Sequence, residues 1–172
     1  MKLPELARLS IEHFLRTGQY LDICNVPEIP RDFIDRQAGT FVSLHQKNGE
    51  LRGCVGTFIP TQKSIAVEVV HNAVSAAVGD SRFYPVRLEE VPELMISVDV
   101  LSKPEKVKDR LELDPQKYGV ILSAQDGRRG LLLPDLEGVE TVEEQLRIAC
   151  AKAAIDTEED FQIERFEVIR YS

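Results

Sequence analysis

Apolar residues recur at helical spacing in three stretches of the chain and alternate with polar ones in several others. Leu3, Leu6, Ala7, Ile11, Phe14 and Leu15 share one face of a helix over residues 3–17, with Gly18 as its stop. Ile65, Ala66, Val69, Ala73, Ala76 and Ala77 do the same over residues 61–78, where Thr61 is placed to cap the start. Thr141-Val142-Glu143-Glu144 matches a capping box, and the helix it opens runs to about residue 154 with Leu146, Ala149, Cys150 and Ala153 inward. Residues 22–38 carry Pro27 and Pro30 and little periodicity, which predicts an ordered loop with a short helical turn.

Between these helices the period drops to two. Residues 41–46 and 50–58 flank Asn48-Gly49, a strong hairpin signal. A two-residue loop there pairs Lys47 with Glu50, Val42 with Val55 and Leu44 with Gly53 on an apolar face. The opposite face then collects Ser43 against Cys54 and His45 against Arg52, with Cys54 and His45 as diagonal neighbours. A three-residue loop with a bulge shifts the pairing by one. Residues 94–101 form a single strand. Residues 103–116, charged and containing Pro104 and Pro115, form a connecting loop. A second hairpin turns at Asp126-Gly127; a two-residue loop pairs Leu122 with Leu131 and Ile121 with Leu132, and its apolar faces make it central. Residues 161–171 read as a last strand. Together the elements predict an α+β fold, mostly antiparallel sheet built from hairpins and packed with about three helices, in one domain over residues 1–172, with two lobes allowed and no internal repeat.

Composition narrows the function classes. A net charge of −8 gives no chain-wide basic footprint for nucleic acid, although a local basic patch can persist in an acidic protein. No apolar run reaches the length of a membrane span, and the first residues lack the pattern of a secretion signal. Three cysteines, odd in number and far apart, point to a reducing cytoplasm rather than a disulfide framework. Metal-ligand spacings, dinucleotide fingerprints and phosphate loops are missing, which leaves the cofactor unknown, and ligands distant in sequence can still converge on a metal in three dimensions.

The candidate chemistry gathers on Leu51-Arg52-Gly53-Cys54-Val55-Gly56-Thr57-Phe58. Gly53 and Gly56 leave room for a ligand or another backbone to approach. Cys54 beside Arg52 and across from His45 is a candidate nucleophile, because a nearby cation favours the thiolate; a small buried apolar residue is the alternative. Arg52 and Arg82 can offer planar forks to a small anion, with Ser43 on the same face as Cys54. Phe83 and Tyr84 read equally as core lids or stacking platforms. Cys150, among alanines and a leucine, reads as core.

The octapeptide 51–58 resembles the hallmark of the AMMECR domain family, also called AmmeMemoRadiSam system protein A. The resemblance continues through Asn72-Ala73, Ala76-Ala77, Ser81-Arg82-Phe83-Tyr84-Pro85-Val86, Ile96-Ser97-Val98, Gly130-Leu131-Leu132-Leu133-Pro134 and Cys150-Ala151-Lys152-Ala153, so it covers about residues 39–172. It implies a compact two-lobed α+β domain with a cleft beside the octapeptide, no established activity, and Memo-type and radical-SAM proteins as partners. On that basis Thr57, Asn72, Arg82 and Phe83 join Ser43, Gly53 and Gly56 as candidate binding residues around the candidate catalytic set Cys54, His45 and Arg52. Two departures stand out. The family usually has a tryptophan after the Leu-Leu-Leu-Pro motif and this chain has none, and Ala154 stands where the family tends to have glycine.

Overall fold

The computed structural model describes residues 1–172. In chain order the elements are α1 (Leu3–Thr17), α2 (Arg31–Asp35), β1 (Thr40–His45), β2 (Leu51–Thr57), α3 (Ile65–Val78), β3 (Met95–Leu101), β4 (Glu105–Lys106), β5 (Gly119–Ala124), β6 (Arg129–Leu132), α4 (Val142–Ala153), β7 (Phe161–Phe166) and β8 (Val168–Tyr171), with short 3-10 turns between some of them. They form two compact units: residues 1–101 with 169–172, and residues 102–168. The α+β, largely antiparallel architecture expected from the residue pattern is what forms.

In the first unit the sheet order is β2-β1-β3-β8. Alternation along β1 buries Thr40, Val42 and Leu44 and leaves Phe41, Ser43 and His45 on the other face. The buried face of the sheet meets α3 along β1 and β2 and α1 along β3. Leu3, Leu6, Ala7 and Ile11 of α1 join Val69, Val70, Ala73 and Ala76 of α3 in one apolar core. The small residues of α3 bring its backbone close to the sheet: a Cβ on Gly53 would overlap the Ala76 carbonyl oxygen. Ser64 rather than Thr61 caps α3, accepting from the Val67 N–H at 3.3 Å. Thr61 is drawn elsewhere: its N–H and hydroxyl both donate to the buried Glu68 carboxylate, at 2.8 and 2.9 Å.

The second unit orders its strands β4-β7-β5-β6, with α4 against β5 and β6. Val120, Leu122, Leu132, Leu146, Ala149 and Cys150 fill its core. Thr141 caps α4, accepting from the Glu144 N–H, while the Glu144 carboxylate accepts from the Thr141 N–H. The expected last strand is two strands, β7 in this sheet and β8 in the first unit's sheet.

Contrary to the reading of the sequence, a structural repeat is present. Each unit is a hairpin, a helix, and a third strand that returns antiparallel beside the hairpin's first strand, giving β2-β1-β3 in one and β6-β5-β7 in the other. Each hairpin's second strand carries Arg-Gly, and Gly130 lies under the Ala149 carbonyl as Gly53 lies under that of Ala76.

Both hairpin loops differ from the expected two-residue form. Gln46 N–H donates to Glu50 and Gly49 N–H to Gln46; Ala124 and Arg128 do the same around Gly127. Gly49 and Gly127 have φ of +88° and +90°, whereas Asn48 and Asp126 keep negative φ, which excludes the type I′ turn and leaves three-residue loops closed by a left-handed glycine. In the second hairpin the register therefore moves by one, to Ile121–Leu131 and Leu122–Gly130. In the first hairpin His45 pairs with Leu51, not Arg52. A bulge at Arg52 then restores Leu44–Gly53, Ser43–Cys54 and Val42–Val55.

Candidate functional site

Cys54 lies on β2, the edge strand of the first sheet, on the face turned away from the helices. The pairings run Cys54–Ser43–Ser97 across β2, β1 and β3, with His45–Met95 in the neighbouring row. The Cys54 side chain is half-buried, and the Ser43 hydroxyl donates to its Sγ at 3.3 Å. On the outer side of the strand, the Cys54 N–H donates to the Asp80 carboxylate at 2.9 Å and its carbonyl accepts from Arg82 Nη2 at 3.3 Å. Asp80 and Arg82 are joined by Nε and Nη2 bonds of 2.9 and 2.7 Å. This clamp occupies backbone groups that an edge strand otherwise presents unpaired. The Arg82 guanidinium holds the Asp80 carboxyl well below the usual carboxylate range, outweighing the opposite effect of burial, and the Cys54 N–H adds to the lowering.

Arg52 is directed elsewhere by the bulge. Its guanidinium donates to both Glu90 carboxylate oxygens, at 3.1 and 3.3 Å, and to the carbonyls of Tyr84 and Pro85, at 2.9 and 3.4 Å. Burial alone would raise the Glu90 carboxyl, but the Arg87 N–H and Arg52 outweigh it and hold it below the ordinary value. Arg52 thus pins the loop that carries Phe83 and Tyr84. Arg82 lies over the Phe83 ring at 5.5 Å, and Tyr84 is 90% exposed. Arg52, Ser81, Arg82, Phe83 and Tyr84 line an open hollow of about 690 Å³.

The remaining candidates sort by depth. A side chain on Gly56 would collide with the Phe41 ring, so that glycine seats an aromatic from the neighbouring strand. Thr57 and Asn72 sit in an internal network: Asn72 donates to Thr40 and Thr57, and the Thr57 hydroxyl donates to Glu68 at 2.6 Å. Glu68 also accepts from the Gln62 N–H at 2.7 Å. His45 shares the Cys54 face one row away from Ser43. Of the other thiols, Cys24 is exposed and Cys150 is buried, and burial pushes the Cys150 thiol up. Asp80, Glu90 and Glu68 escaped the reading of the sequence. The only signal available was the position of Asp80 beside Ser81-Arg82 at the end of a helix.

A family model, AMMECR1, matches residues 4–171, extending the resemblance through α1. A Thermotoga maritima protein is 49% identical over 164 residues, 94% of this chain and 91% of that one. A Clostridium acetobutylicum protein, CA_C1420, is 48% identical over 97% of this chain, which spans only 35% of that protein. The crystal structure of the uncharacterized protein PH0010 from Pyrococcus horikoshii is similar with a TM-score of 0.87 at 30% identity, covering 98% of this chain and 88% of that one. These relatives carry no named activity. With the octapeptide on a clamped edge strand and the match running through both units, the chain belongs to the AMMECR1 family.

Proposed function

We propose that the Cys54 face of the first sheet handles a small anionic ligand, with the Cys54 thiol as its reactive group and Arg82 as the neighbouring cation. The observation that carries this reading is the Ser43 hydroxyl aimed at Cys54 Sγ while Asp80 and Arg82 fix the same residue's main chain. The hydroxyl donor holds the sulfur in place, and the guanidinium on the same residue's carbonyl sets a cation beside it. The repeat supplies a comparison within the chain: the positions matching Ser43 and Cys54 are Ile121 and Leu131 in the second unit, so the fold accepts plain aliphatic residues there. Arg52 contributes by holding the 83–85 loop, since Glu90 and two carbonyls already occupy its donors. In this reading the Cys54 sulfur adds to a carbonyl carbon of the ligand, the carbon–oxygen π bond opens onto the oxygen, and the thiol proton passes through water to that oxygen, so that no group has to leave.

The test is thiol titration with a chromogenic disulfide across pH, in a Cys24→Ser background because Cys24 is exposed. The expected result is one fast-reacting thiol, absent in Cys54→Ala. A Cys54 that reacts only after denaturation removes the nucleophile.

One observation favours a second reading, an adaptor without catalysis. Tyr84 is almost fully exposed on a loop pinned by Arg52, an arrangement suited to an aromatic anchor in a protein interface. The family resemblance names Memo-type and radical-SAM proteins as the partners to try. Co-purification with parent chain and Tyr84→Ala separates the readings: equal recovery takes this loop out of the interface.

A further inference from the structure

We propose that the second unit binds an extended acidic peptide across the strand ends near Phe161. Two hollows, of about 500 and 480 Å³, share Asp160, Phe161 and Gln162 and so adjoin. Lys106, Lys108 and Arg110 line the first and Arg129 the second. None of these four cations makes an ion pair or side-chain hydrogen bond within the chain, although the protein as a whole carries a net charge of −8. Of the acidic side chains lining the hollows, Glu159 accepts from Arg128 at 2.6 Å and Asp109 accepts from the Leu111 N–H at 2.9 Å, which leaves Asp160, common to both hollows, as the one unpaired carboxylate among four unpaired cations.

The strand register lays out the path. Arg129, Ser123 and Gln162 are opposite one another across β6, β5 and β7, and the chain after β4 continues alongside β7 through the Val107 N–H to the Ile163 carbonyl. Ser123 Oγ, in the middle of this row, is buried and makes no hydrogen bond within the chain. Leu111, next to Arg110, is 90% exposed. Crossing four strands covers about 14 Å at the usual spacing of about 4.8 Å, the reach of about four extended residues. Unspent cations in adjoining open hollows suit carboxylates spaced along a chain, whereas a small ligand is ordinarily enclosed in one pocket. Leu111 lines neither hollow but follows Arg110 in the chain, and its exposure offers a contact for an apolar side chain beside the first hollow. This inference is independent of the reading of Cys54, which concerns the other unit.

The probe is a fluorescein-labelled hexapeptide of alternating glutamate and leucine, titrated against the full chain and followed by fluorescence anisotropy at low salt. Saturable binding is expected, weakened about tenfold or more in Lys108→Glu/Arg110→Glu and in Arg129→Glu, as loss of charge complementarity implies. Circular dichroism confirms that the variants fold, and Leu111→Ser should weaken binding without changing its salt dependence. Absence of saturable binding, or equal binding by parent and charge-reversed variants, overturns the proposal. So does binding of tripolyphosphate or anionic vesicles with the same residue dependence while the peptide fails to bind.

Discussion

A Cβ on Gly53 would fall inside the Ala76 carbonyl oxygen, so the hallmark octapeptide is held against α3 through the residue immediately before its cysteine. Gly53→Ala must push strand and helix apart and is expected to cost about 3 kcal/mol, the upper range of overpacking. Gly49→Ala has free space but a positive φ, and should cost only about 1 kcal/mol. Urea unfolding of the two variants checks the ranking.

Glu68 is fully buried and receives donors from Thr57, Thr61 and Gln62. Glu68→Ala leaves those groups without an acceptor, at an expected cost of about 3 kcal/mol. Hydrogen exchange should show the protection of residues 57–62 lost before that of β1.

The clamp on Cys54 has a definite pH dependence. The folded Asp80 carboxyl is held below its ordinary value, so its contribution to stability is complete above the unfolded carboxylate range near pH 4 and is lost as pH falls below it. Asp80→Asn should therefore be less stable than the parent at neutral pH, with the gap closing on acidification. A gap that is constant from neutral pH to about pH 2 would contradict the assignment.

Ala154 ends α4 with φ 52° and ψ 37°, a left-handed conformation that favours glycine. This matches the glycine that the family resemblance implies at this place, and Ala154→Gly should raise stability by about 1 kcal/mol in thermal unfolding.

Much of this architecture was legible in the residues because it follows from period. The apolar residues of 3–17 recur at helical spacing and the segment forms a helix, and Thr141 with Glu144 caps α4 as a capping box predicts. Both hairpins form where the residues place them, with loops one residue longer than the turn signals imply. Asn48-Gly49 and Asp126-Gly127 suit a two-residue loop, yet only the glycine takes the left-handed conformation in each. At the candidate site, Ser43 opposite Cys54 was recoverable only because the extra residue at Arg52 offsets the three-residue loop. The clamp and the Glu68 network were not, because Asp80 and Glu68 act across 26 and 11 residues on main-chain and hydroxyl groups that no local pattern marks.

The fourth strand of the first sheet, β8, follows the whole second unit in the chain. During synthesis the Asp99 carboxylate on β3, only 3% exposed in the finished fold, waits for Arg170 through the making of some seventy intervening residues. Closing that sheet is a contact of high sequence separation, a kind that slows folding. The second unit, formed from contiguous residues, is therefore expected to reach its native pairing first, and until then the open edge of β3 is where a nascent chain of this protein is most exposed to pairing with another.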